Sequence, residues 1–96
     1  MLIEAPYKKH DTITVKITSG DEIVGRFVEE NDTTLTIQKP LALMATQQGI
    51  GLGPYAFTVP QGADIRLNKH SILFVAKTDT EMAKQYITST TGVQMV

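Results

Sequence analysis

The chain has no cysteine and no tryptophan, and only three tyrosines and three phenylalanines in 96 residues. Without cysteine there is no disulfide framework and no thiolate metal site, so disulfides give no guide to the compartment. Two histidines, His10 and His70, cannot make a closed zinc site within one chain. No apolar run approaches the roughly 20 residues of a membrane-spanning helix. The opening Met-Leu-Ile-Glu-Ala-Pro lacks the basic start and apolar core of a signal peptide. A cytoplasmic protein without membrane contact is expected. An excess of charge is missing too. Nine Lys plus Arg stand against ten Asp plus Glu, for a net charge of −1, which argues against indiscriminate nucleic-acid binding. No nucleophile–base–orienter set is present, since Ser19, Ser71 and Ser89 have no base beside them by motif. Neither catalysis nor a cofactor is expected.

What is there is a β pattern. In Thr12 to Thr18, Ile13, Val15 and Ile17 alternate with polar residues, the period of a strand with one buried and one wet face. Ser19-Gly20-Asp21 reads as a tight hairpin turn. Glu22 to Glu30 is a second strand with apolar residues on both faces. It carries Gly25 in its interior, which is costly unless it permits a bend or a close backbone approach. Asn31-Asp32 is the next turn. The third strand begins at Thr33, with Leu35 and Ile37 inward and Thr34, Thr36 and Gln38 outward. Pro40 interrupts this strand or marks a bulge at its edge. Gln48 to Pro54, with three glycines, is expected as a flexible turn, and Tyr55 to Val59 as the strand that returns from it. Ile65 to Asn68 and Ser71 to Lys77 complete the strands. Residues 41–64 thus form a long, variable hairpin. Thr78-Asp-Thr-Glu81 is a capping-box pattern that opens a C-terminal helix over 79–90. Met82, Ala83, Tyr86 and Ile87 form its apolar stripe, and Gly92 is its stop. Pro6 argues against a helix near the N-terminus. Residues 1–96 are read as one domain. Its fold class is mainly β: a small, strongly bent open barrel of about five strands, with a long β3–β4 hairpin and a C-terminal helix.

The spacing Val15-x-Ile17-x-x-Gly20-x-x-x-x-Gly25-x-Phe27 resembles the first signature of the Sm/LSm family, which includes bacterial Hfq. Asn68-Lys69-His70-Ser71-Ile72 is similar to the second, and its Lys-His-x-Ile order is Hfq-like. The likeness spans residues 12–38 and 65–77. Four features depart from it, one being a 41–64 segment longer than in compact members. Leu35 stands where the family places asparagine, Thr33 where Hfq carries a base-stacking aromatic, and the helix follows the barrel instead of preceding it. A divergent, compact member of this kind fits a phage or mobile-element relative.

The resemblance implies an SH3-like barrel and a closed homo-oligomeric ring of five to seven subunits. Pairing of the last strand with a neighbour would bury Ile72, Phe74 and Tyr86. It also implies a single-stranded nucleic-acid site, for RNA or DNA, at the ring pore. Asn68, Lys69 and His70 would line that pore, Lys69 as a basic collar and Asn68 and His70 as readers of base edges. Asn31, Asp32 and Thr33 would face the same opening, although an Asx-type turn explains Asn31 and Thr33 equally well. A second reading treats the barrel as a structural or assembly module, a phage component or adaptor. It would bind protein through the 41–64 hairpin or the helix. Gly49-x-Gly51-x-Gly53 is not a phosphate loop, because Pro54 and a strand follow and no Lys-Ser/Thr is adjacent. The acidic run from Asp21 to Asp32 sits on turns, where it solvates or repels neighbours.

Overall fold

A computed structural model describes residues 7–60 and 62–90. Six strands and one helix follow in order: β1 Thr12–Ile17, β2 Glu22–Glu30, β3 Thr34–Thr46, β4 Gly49–Pro54, β5 Asp64–Asn68, β6 Ile72–Lys77 and α1 Thr80–Thr90. The period-two alternation of β1 is realised in full, with Ile13, Val15 and Ile17 buried and the residues between them half-buried. At the first turn Gly20 has φ +99°, and the amide of Ile17 donates to the Asp21 carbonyl at 3.0 Å. That positive φ is the conformation glycine adopts without a Cβ penalty.

All pairings are antiparallel, and the order β4-β3-β2-β1-β6 forms one sheet, with β5 pairing β3 as well. β3 is long enough to hold two partners on one edge. Its Thr34–Gln38 portion pairs β5, and Leu41–Thr46 pairs β4. No ladder among the described residues joins the two ends of the sheet, so the sheet is open. One core gathers on its inner face: Ile13, Val15, Ile17, Ile23, Phe27, Leu35 and Ile37, with Tyr7, Tyr55, Ile65, Leu67, Ile72 and Val75 packed against it. Gly25 is buried among them. A Cβ at that position would lie 3.1 Å from Ile37 Cδ1 and 3.4 Å from the Gln38 carbonyl oxygen, so the glycine admits a close approach of β2 and β3.

Two bulges bend the β2–β3 pair. Between the pairs Val24↔Leu41 and Arg26↔Gln38, β3 carries an extra residue. Between Phe27↔Ile37 and Glu29↔Thr36 the extra residue is on β2. The first bulge holds Lys39 at φ +52° before Pro40. Proline has no N–H to give a ladder, so a bulge is where a strand can hold it. The helix meets the sheet at this bulge. Tyr86 is fully buried, and its hydroxyl donates to the Lys39 carbonyl at 2.7 Å and lies 3.2 Å from that of Gln38.

The structure corrects several expectations. Thr36, expected outward, is buried at 3% exposure, while its outward neighbours Thr34 and Gln38 are half-buried. The return strand is Gly49–Pro54, and Tyr55–Val59 is irregular. Of the β4 glycines, Gly53 serves cross-strand packing, since the Met44 thioether lies where its Cβ would project, whereas Gly49 has φ +120° and open space around it. In α1, Tyr86 and Thr90 are the buried residues, while Ile87 is 44% exposed. The cap is Asp79 instead of Thr78: Asp79 Oδ2 accepts from the Met82 amide at 3.3 Å, whereas the Thr78 hydroxyl bonds that of Thr14 at 2.9 Å. Pro6 and Gly92 lie outside the described residues.

Candidate nucleic-acid interface

The six residues singled out from sequence come together at one end of β3. Pairing of Thr34 with Asn68 aligns the β2–β3 turn with the end of β5. The Lys69 amide donates to the Thr33 carbonyl at 2.9 Å, which ties the two turns directly. Asn31, Asp32 and Thr33 are exposed in the first turn. Asn68 and His70 are exposed and Lys69 half-buried around a short 3-10 turn, Lys69–Ser71.

Internal hydrogen bonds occupy much of their capacity. Asn31 Oδ1 accepts from the amides of Thr33 and Thr34 at 2.9 Å each and from both threonine hydroxyls at 3.2 Å. This is an Asx turn, in which a side chain replaces a backbone acceptor. Asn68 Oδ1 accepts from the His70 amide at 2.9 Å and caps the 3-10 turn. The two carboxamides thus hold the loop shapes through their oxygens.

Lys69 is not a free collar charge. Its ammonium lies 3.5 Å from Glu30 Oε2, with both side chains roughly one-third exposed (36% and 29%). The same carboxylate accepts from the Tyr7 hydroxyl at 3.1 Å. The Tyr7 ring meets Phe27 edge-on, with centroids 4.8 Å apart. The Tyr7 phenol is pushed up to about 12, first by burial and then by its hydrogen bond to Glu30 and that group's negative charge. Glu30 therefore joins the core-packed Tyr7 to the loop lysine, a role that sequence alone concealed within an acidic run that reads as solvated. Glu30 closes β2 beside the Asn31-Asp32 turn signal, and that adjacency to the predicted site was the available clue.

Beside this pair is a recess of about 270 Å³ lined by Glu30, Leu35, Lys69, Ile72, Phe74 and Val75. Phe74 and Leu73 on β6 are 51% and 62% exposed. Tyr86 contributes nothing to this edge, since it is buried within its own chain. Among the described residues no group of three or more His, Cys, Asp or Glu side chains could hold a metal ion, and no helix is long and apolar enough to cross a membrane. No protein-family model matches the chain, and no curated protein matches it.

Proposed function

We propose that the chain is an Sm-like, ring-forming protein that binds single-stranded nucleic acid, RNA before DNA, at the end where the two turns meet. The observation that carries this reading is the juxtaposition of residues 31–33 with 68–70 through the Lys69–Thr33 bond. Two separate sequence signatures predicted that meeting. The strand order β6-β1-β2-β3-β5 and the bends at Gly25 and the bulges support a strongly curved, SH3-like open barrel. Its two ends, β5 and β6, each have one edge unpaired among the described residues, and an unpaired edge is a template for another chain. A β6-to-β5 contact is head-to-tail, and such a contact closes into a ring when its rotation allows. The recess beside Phe74 gives that neighbour apolar surface to cover. A ring would repeat Lys69 and His70 around one opening, where phosphates compete with Glu30 for the ammonium.

A second reading, a protein-binding assembly module of phage type, is favoured by one specific observation: Lys69 is already neutralised by Glu30. Fluorescence anisotropy with labelled U-rich, A-rich and duplex oligonucleotides across a salt series separates the two. For a nucleic-acid site, single strands bind saturably and weaken with salt. Lys69→Ala lowers affinity and flattens the slope by about 0.7 for each phosphate that is no longer neutralised. Glu30→Gln raises affinity by releasing the lysine. Absence of binding by both the parent protein and Glu30→Gln at low salt would remove this mechanism and leave the assembly module.

A further inference from the structure

From residue 40 to residue 63 the sequence contains no Asp, Glu, Lys, Arg or His; Lys39 and Asp64 are the flanking charges. This stretch holds the β3–β4 ribbon. Among the described residues, β3 has no partner on its β2 side beyond the pair Ile23↔Ala42, and β4 has none on its outer side. The outer half of the ribbon is therefore two strands with two open edges. An isolated two-stranded ribbon is at best marginally stable in water, and natural edges are normally guarded by charge. This one has none.

The faces of the ribbon differ. Residues directly opposite in a ladder share a face, so the pairs Leu41–Pro54, Leu43–Leu52 and Ala45–Ile50 make one side broadly apolar. The pairs Ala42–Gly53, Met44–Gly51 and Thr46–Gly49 leave the other nearly bare, with Met44 laid across Gly53. Met44 and Ile50 are 51% and 58% exposed. Large apolar surface of this kind marks an interaction site.

We propose that this ribbon is a self-association arm, covered by a second copy of the same chain. Three observations select that occupant. A partner chosen by charge would find nothing to read between residues 40 and 63. A bilayer-spanning hairpin is excluded by length, because a spanning strand needs about 9–11 residues and β4 has six. The ribbon itself offers what a copy needs: large apolar side chains on one face, a glycine-lined face behind them, and free strand edges on both sides. The open edge of β4 also continues the line of β5 along β3. The arm stands on its own observations; in the ring reading β5 would also receive the next subunit, so a neighbour docked there would be carried alongside it.

The test is sedimentation velocity and light scattering on the full chain over a concentration series. It compares the parent protein with Ile50→Lys at the arm and Phe74→Lys at the β6 edge. Both positions are more than half exposed, and circular dichroism melts report whether each variant folds. The arm predicts that Ile50→Lys weakens assembly by at least about tenfold, because the lysine would be buried without a partner charge. Full assembly of a folded Ile50→Lys protein would overturn the arm and leave the ring reading standing. Loss of assembly with Ile50→Lys but not with Phe74→Lys would support the arm and remove the β6-edge ring. A parent protein that stays monomeric across the series would overturn the arm. If Ile50→Lys does not fold, Met44→Lys on the opposite face of the ribbon gives the same comparison.

Discussion

The Tyr86 hydroxyl is the residue-scale link between helix and sheet. Its bonds reach the carbonyls of Gln38 and Lys39, beside the β3 bulge. Tyr86→Phe keeps the ring and leaves those acceptors without their donor, at an expected cost of about 1–3 kcal/mol in urea unfolding. The same group sets an alkaline limit. Burial pushes the Tyr86 phenol up to about 12, against the nearby positive Arg26 and its backbone hydrogen bond, which pull it down. The folded state therefore favours the neutral phenol. That stabilisation is complete below pH 10, the value of the unfolded tyrosine, and is lost as pH rises through about 12. Reduced by solvent screening, a shift of this size is worth less than the roughly 3 kcal/mol it would carry unscreened. Tyr86→Phe should remove part of the stability loss across that window, measured as urea midpoints at stepped pH. Tyr7 titrates in the same direction and retains a smaller share of the slope, as befits its partial exposure.

At the scale of elements, the β2–β3 pair carries the curvature. Gly25→Ala would place a methyl 3.1 Å from the Cδ1 of Ile37, a fully buried core residue, so the neighbour must shift. The expected loss is about 1–3 kcal/mol, read from a shifted denaturant midpoint with an unchanged slope. This glycine, like the β1 alternation and the turn at Gly20, was legible because its reason is local: backbone geometry and period. β4 was not. A run of Gly-x-Gly-x-Gly looks like a flexible turn in isolation, and its extended state depends on Met44 and its neighbours across the strand. Ile87 was misassigned for a related cause. Which face α1 covers depends on Tyr86 finding the bulge, a contact between residues nearly fifty apart (|i−j| = 47). At the candidate site the meeting of the two turns was legible from the paired signatures. The neutralisation of Lys69 was not, because it needs Tyr7 and Glu30 brought together by the fold.

For the whole molecule, the charge balance and the open edges lead to the same expectation. A small domain with two sheet ends unpaired among the described residues and an uncharged ribbon leaves apolar surface exposed that association can cover. If copies cover those surfaces, assembly stabilises the folded state by mass action. The melting temperature should then rise by several degrees for each tenfold increase in protein concentration, as measured by calorimetry. A melting temperature independent of concentration would show that unfolding is uncoupled from association.

β1 sits between β2 and β6, so one of its edges is satisfied by the strand that follows it and the other by Ile72–Lys77. A nascent chain can therefore lay down the β1–β2 hairpin early, but it holds β1 half-paired until residue 77 has emerged. The Tyr86 contact to the bulge comes later still. Completion of this core is thus a late event limited by closure of a long loop, the slow class of β topology. During that interval the waiting edge of β1 is open to capture by other chains.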